Sequence, residues 1–331
     1  MADLKMRFAC WNYDRTRALM DGSVKPEGID LTYENLFPAV TFQRMLGSRE
    51  FEASELGLTF YLATLHAPDP PFVAIPVYPV RLFPYQAVFV NANAGIKEPK
   101  DLIGKKVGEL FLYGHDAGTW SKGALADEYG VKVESCEWFI GGVDQPMQEW
   151  KFVLQPPPSV KVTHIGPTKT LDAMLESGEI AALHSAIVPP SYLKGSKNVR
   201  RLFEDNEAAE RAYFKKTGIF PIMHVVAIRK DVYQANKWVA KSLYDALKTS
   251  KQRVMELYRM QDANMQRMFM NPFLTELRER NRAMMGEDHW PYGLTNNYKA
   301  LDTFLRYHHE HGLSKRRFKP EELFLPETLD D

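Results

Sequence analysis

Three histidines stand where apolar runs give way to polar ones. His115 lies in Leu110-Phe-Leu-Tyr-Gly-His-Asp-Ala-Gly118, His184 ends Ile180-Ala-Ala-Leu183 and precedes Ser185, and His224 sits inside Phe220-Pro-Ile-Met-His-Val-Val226. Imidazole gives or takes a proton near neutral pH, so the three are candidate general acids and bases. Two arginines are candidate anion clamps. Arg15 lies between Asp14 and Thr16, where a strand-like run turns into a helix-like segment, and Arg81 follows the apolar run Phe72–Tyr78. A helix start adds free backbone N–H groups and the positive end of its dipole to such a clamp. Glu55 and Thr59 flank the end of a third apolar run, and Tyr13 and Tyr113 can stack on a ring or hydrogen-bond to it. Together these side chains suit a small anionic ligand held between a proton donor and a proton acceptor.

Metal and cofactor motifs are sparse. His115, His184, His224 and Glu55 lack any ligand spacing of the H-x3-H or H-E-x-x-H kind, so the spacing gives no direct support for a catalytic divalent metal, which is kept as the minor alternative to a metal-free site. Tyr307-His-His-Glu-His311 reads as the polar end of a helix before Gly312. No nucleophile elbow, phosphate loop or dinucleotide fingerprint is present. Cys10 and Cys136 are too few for a disulfide framework.

The elements that must position these groups alternate. Apolar runs at 4–11, 29–36, 53–58, 72–78, 86–91, 106–110, 136–140, 180–184 and 222–229 predict strands. Amphipathic segments at 14–21, 40–48, 59–66, 117–129, 168–177, 206–217, 235–260 and about 262–285 predict helices. Such alternation predicts parallel α/β sheets. A fresh strand–helix series opens near Ile96, and His224–Arg229 follows that series, so the chain reads as two lobes. Lobe one takes 1–92 and 222–331, including a helical C-terminal extension, and lobe two takes 93–221. The Met255, Met260, Met265, Met268, Phe269, Met270 group in the extension reads as core or interface packing, and a homo-oligomer built on it stays open.

The chain has 331 residues, with Lys plus Arg and Asp plus Glu at 42 each. A net charge of zero leaves no global basic field for nucleic acid or an anionic membrane. No apolar run approaches the ~20 residues of a membrane span. MADLKMRFACW lacks the apolar core of a secretion signal, which gives cytoplasmic location as the expectation.

Several phrases resemble one family in order and spacing. They are Trp11-Asn-Tyr-Asp-Arg-Thr-Arg-Ala-Leu19, Pro26-Glu-Gly-Ile-Asp-Leu31, Pro71-Phe-Val-Ala-Ile-Pro-Val77, Gly218-Ile-Phe-Pro-Ile-Met-His224 and His289-Trp-Pro-Tyr-Gly293. This set resembles the 4,5-dihydroxyphthalate decarboxylase family. The resemblance implies a two-lobed fold of the type II periplasmic-binding-protein kind, with two mixed sheets flanked by helices. It also implies non-oxidative loss of one carboxyl from a hydroxylated aromatic (di)carboxylate without an organic cofactor, 4,5-dihydroxyphthalate giving protocatechuate and CO2 in the parent reaction. Within that frame Arg15 and Arg81 are expected to hold carboxylates, His224 and His184 to serve as acid and base, with His115 beside them. Tyr13, Asp14, Thr16, Glu55, Thr59, Tyr113 and Ser185 are expected to contact the substrate. Asn12, Tyr85 and Ile187 stand where the family pattern leads one to expect an acidic residue, a histidine and a cation. Because the fold also serves transport, a non-catalytic binder of a small anionic or aromatic ligand is the alternative.

Overall fold

The computed structural model describes residues 3–147, 152, 154–264 and 268–329. Among these residues eleven strands form two sheets. They are β1 (Leu4–Cys10), β2 (Ile29–Asn35), β3 (Ala53–Gly57), β4 (Phe72–Ile75), β5 (Val88–Asn91), β6 (Lys106–Leu110), β7 (Glu137–Gly141), β8 (Lys161–His164), β9 (Ala182–His184), β10 (Val199–Arg201) and β11 (His224–Arg229). The first sheet runs β2-β1-β3-β11-β4 and the second runs β10-β5-β9-β6-β7-β8. Each is parallel except for strands that belong to the crossings: β11 is antiparallel to β3 and β4, and β5 is antiparallel to β9 and β10.

Strand pairing places the first crossing earlier than the expected 92/93 boundary. Val88–Asn91 pairs with Ala182–His184 and Val199–Arg201, so this strand lies in the second sheet and the chain has crossed before residue 88. Its run of apolar residues looks the same in either sheet, which is why composition did not separate the two. The crossing segments meet near Arg81 and Ile222: Met223 N–H donates to the Val80 carbonyl at 2.9 Å and Leu82 N–H to the Pro221 carbonyl at 3.3 Å.

Helices sit where the amphipathic pattern puts them, notably Pro38–Ser48, Leu58–Thr64, Asp116–Tyr129, Leu171–Ser177, Asn206–Thr217 and Val239–Ala263. The predicted 262–285 helix begins only at Leu274, and residues 265–267, Met265 among them, lie outside the described residues. Met255 is buried, whereas Met260, Met268 and Met270 are exposed at the far end of the extension. Among the described residues no helix is long and apolar enough to cross a membrane.

The C-terminal extension straps both lobes. Helix Tyr298–Glu310 lies on helix Asp116–Tyr129 of lobe two, where Phe304 and Tyr307 flank Trp120 and Tyr307 Oη donates to Asp127 at 2.7 Å. The chain then returns to lobe one. Leu325 N–H donates to the Ala74 carbonyl at 3.1 Å, and Tyr61 Oη donates to the Leu323 carbonyl at 2.6 Å. One apolar core accordingly runs from Phe8 through Trp120 and Trp138 to Phe304.

The His308–His311 end of that helix differs from a solvated polar end. His308 is fully buried with both ring nitrogens unpartnered among the described residues, and His311 is buried too. Burial pushes His308 down to about 3 and His184 likewise to about 3, so both fold as neutral rings. The unfolded chain binds these protons near pH 6.5, so stability falls as pH drops from there toward 3. The slope is at most about 1.4 kcal/mol per pH unit for each ring. His308→Leu is expected to unfold at equal or higher urea concentration at pH 7. It is also expected to lose stability less steeply between pH 6 and 4 than the parent; an unchanged acid slope would show that this ring is not held neutral.

Candidate active site

A cleft of about 190 Å3 opens between the lobes, lined from lobe one by Trp11, Tyr13, Phe37, Phe42, Phe60 and His224. Lobe two contributes Leu110, Phe111, His115, Asp116, Ala186 and Ile187. A dry cavity of ~150 Å3 takes up benzene, so the cleft has the size of one substituted ring. Among the described residues no lysine or arginine side chain lines it. Its polar groups are two imidazoles, a carboxyl and a phenol in walls that are otherwise apolar and aromatic.

Glu55 organises the lobe-one wall. It is fully buried on β3, beside the end of β1 and opposite Val226 of β11. Its Oε1 accepts from Tyr13 Oη at 3.1 Å and pairs with His224 Nδ1 at 3.2 Å. Its Oε2 accepts from Cys10 Sγ at 2.9 Å and from Trp11 N–H at 3.2 Å. Burial alone would raise this carboxyl. The His224 hydrogen bond and charge, with the bonds from Cys10 and Trp11, outweigh it and hold Glu55 below the usual carboxylate range. An ionised carboxylate only accepts, so His224 carries its hydrogen on Nδ1 and keeps Nε2 for the cleft. Phe42 packs edge-on against the imidazole at 5.0 Å and fixes its plane.

Lobe two presents a second histidine backed by a glutamate. Glu109, fully buried at the end of β6, faces His115 Nδ1 at 3.2 Å and accepts from Gly114 N–H at 2.9 Å. Unlike Glu55, it also meets a lysine: Lys122 Nζ donates to both carboxylate oxygens, at 2.9 and 2.7 Å. Burial would raise Glu109, but the Lys122 charge and the His115 bond bring it down to about 2. Gly118 makes the approach possible, because a Cβ there would collide with Glu109 Oε1 and the His115 ring. His115 Nε2 is buried in the cleft wall with no hydrogen-bond partner among the described residues. Next to it, Asp116 opens helix Asp116–Tyr129, and burial pushes its carboxyl above the ordinary value.

Two further features shape the wall. Phe111 has φ 65°, a left-handed conformation that a bulky side chain rarely adopts, and it carries its ring into the cleft. Ser185 does not face the ligand space. Its hydroxyl donates to the Ile187 carbonyl at 2.6 Å and accepts from Ile187 N–H at 2.9 Å, forming the turn that offers Ala186 and Ile187 instead.

The structure thus brings His224, His115 and Tyr13 to one cleft with Glu55 behind them, and takes other expected site residues elsewhere. His184 points into lobe two, with Nδ1 2.6 Å from Ser121 Oγ and its ring edge-on to Trp138. Arg15 is sandwiched between Tyr13 and Trp290 and donates to the Pro79 carbonyl and Asp14. Asp14 also accepts from Tyr258 Oη at 2.8 Å, and Thr16 Oγ1 donates to the Trp11 and Tyr13 carbonyls. Arg81 donates to the Phe220 and Pro291 carbonyls, each at 2.8 Å, and to Asn297 Oδ1. Tyr113 covers Lys122 with its ring, and Thr59 reaches the site through its N–H, which donates to Asp116. Of the three departures, Tyr85 packs among Phe203, Tyr129 and Tyr213, Asn12 is exposed and Ile187 lines the cleft. Asp116 and Phe111 join the site without having been singled out. The Asp that follows His115 at a helix start was the available signal, but neighbouring residues on a loop rarely face one ligand.

Arg15 and Arg81 therefore read as hinge cations. Arg81→Met is expected to lower stability by about 3 kcal/mol, because it strands buried acceptors at the crossing. Folded Arg81→Met protein should keep the parent's affinity for a cleft ligand, as measured by calorimetry; loss of affinity at unchanged stability would return Arg81 to the site.

No family model matches the chain. The periplasmic aliphatic sulphonate-binding protein SsuA from Escherichia coli shares the fold, with a TM-score of 0.54 at 12% identity, covering 97% of each chain. The alkanesulfonate-binding protein SsuA from Xanthomonas axonopodis pv. citri gives 0.54 at 11% identity over 98% of each chain. Two curated relatives are similar in sequence as well. A 4,5-dihydroxyphthalate decarboxylase from Comamonas testosteroni is 33% identical over 100% of this chain and 99% of its own length. One from Pseudomonas putida is 30% identical over 65% of this chain and 83% of its own. At this likeness over full length, the chain belongs to the 4,5-dihydroxyphthalate decarboxylase family.

Proposed function

We propose that the protein is a carboxy-lyase that removes one carboxyl from a hydroxylated aromatic acid bound between the lobes, with 4,5-dihydroxyphthalate as the first substrate to test. The observation that carries this reading is that the Glu55-backed His224 of one lobe and His115 of the other line the same ring-sized apolar cleft. The curated relatives support it.

Decarboxylation replaces a ring C–COO⁻ bond with C–H. The electron pair of the broken bond returns to the ring, and one proton is consumed for each CO2 released. His224 Nε2–H is the donor to that ring carbon, and the buried Glu55 carboxylate stabilises the imidazolium before transfer. His115 Nε2, held by Glu109, accepts the hydrogen of a phenol on the far side of the ring, pushing electron density toward the leaving carboxylate. The apolar walls exclude water and so strengthen both interactions. Each of these steps is assigned to one of the chain's own side chains.

CO2 release and loss of one carboxyl should be followed with 4,5-dihydroxyphthalate and a panel of hydroxybenzoates, with and without chelator. Turnover unaffected by chelator is the expected result. His224→Ala is expected to lose ~10²–10⁴ in kcat, the usual size of a general acid's contribution. Glu55→Gln should lose less, since it keeps an acceptor but not the charge. Tight binding with no CO2 across the panel would replace this reading with a binder, as the two sulfonate-binding neighbours are named.

A further inference from the structure

The two histidines of the cleft stand on different lobes, so their separation is only as well defined as the joint between the lobes. Two buried polar contacts of one lobe-two helix make that joint beside the cleft: Trp120 Nε1–H donates to the Ile222 carbonyl at 2.7 Å, and the helix's first residue makes the other at the cleft wall itself. Asp116, on lobe two, accepts from the Thr59 N–H of lobe one at 2.7 Å. Both residues are buried. Asp116 directly follows His115 and opens the fourteen-residue helix that carries Lys122, the partner of Glu109. The carboxyl fits because residue 57 is glycine: a Cβ at Gly57 would collide with Asp116 Oδ2 and the Phe60 ring. Gly57 has φ −59° and ψ 138°, which any residue adopts, so here the glycine is needed for space and not for its backbone. The charged and titratable groups facing Asp116 are His115 on its own lobe and His224 from lobe one.

We propose that Asp116 is a positioning residue: its bond to Thr59 N–H, admitted by the notch at Gly57, sets His115 at its working distance from His224. This inference rests on the decarboxylase reading for its kinetic consequence, but the geometry is defined without it. A misplacement of ~1 Å between reacting groups costs on the order of 100-fold in rate.

The test compares the wild type with Asp116→Ala, Asp116→Asn and Gly57→Ala, all as full-length protein. Asparagine keeps the acceptor for Thr59 N–H, and Gly57→Ala removes no charged group but pushes the Asp116 carboxyl out of its notch. Expected are ~100-fold losses of kcat in Asp116→Ala and Gly57→Ala, with Asp116→Asn within 10-fold of wild type. Faster hydrogen exchange at the Thr59 amide should appear in the two impaired variants alone. Wild-type kcat in Asp116→Ala would overturn the proposal. So would an Asp116→Asn variant as slow as Asp116→Ala, since that would mark a role for the charge. A fall in melting temperature with kcat per folded molecule unchanged would reduce the contact to a structural one and equally overturn it. If the wild type decarboxylates none of the panel, the functional reading fails separately. The positioning claim is then decided by benzoate titration: about 10-fold weaker binding in Asp116→Ala and Gly57→Ala supports it, and equal affinities refute it.

Discussion

A carboxylate taken fully out of water must find a partner for every lone pair it presents, and Glu55 imposes that demand on everything around it. Its position on β3 fixes where the loop after β1 must turn so that Trp11 N–H and Tyr13 Oη arrive. It fixes why Cys10 is a thiol donor in the core and not a reactive group. It also fixes the face that His224 shows to the cleft. The return strand β11 is antiparallel to β3, which is what brings a residue 169 positions away in sequence against this glutamate. Lobe two answers the same demand differently. Glu109 is neutralised by Lys122 and a histidine together, whereas Glu55 is held by neutral donors and His224. The two histidines therefore meet the ligand from unlike electrostatic settings, which suits opposite roles in proton transfer.

The apolar runs carried enough signal to place nine of the strands, because both sheets are covered on each face and their inner strands read as continuous hydrophobic segments. β8 and β10 escaped notice. Lys161-Val-Thr-His164 and Val199-Arg-Arg201 are short edge strands with few apolar residues, and only the neighbouring strand defines them. The lobe boundary was misplaced for a related reason: which sheet a strand joins is a long-range property of pairing.

At the site, sequence position showed which residues end a strand but not which way each points. His184 and His224 looked alike as histidines bordering apolar runs. His184 turns toward Ser121 and Trp138 inside its lobe, and His224 turns to the cleft. The two arginines were mistaken for clamps because a guanidinium near a strand's end fits either role. Here each guanidinium is occupied by backbone carbonyls of the crossing or the extension, a pairing that depends on residues up to 216 positions distant.

The strap formed by the C-terminal extension changes what kind of machine a two-lobed fold can be. A carrier that surrenders its cargo to a membrane partner must spread its jaws. Spreading them here would peel Tyr307 and Arg306 from Asp127 on one side, or Leu323 and Leu325 from Tyr61 and Ala74 on the other. Traffic is left to the mouth flanked by the half-exposed rings of Trp11 and Phe37. Side chains at such a gate swing in nanoseconds, far faster than lobes rotate. A doorway framed by two aromatic rings is a slot, and a slot matches a flat molecule better than a bulky one.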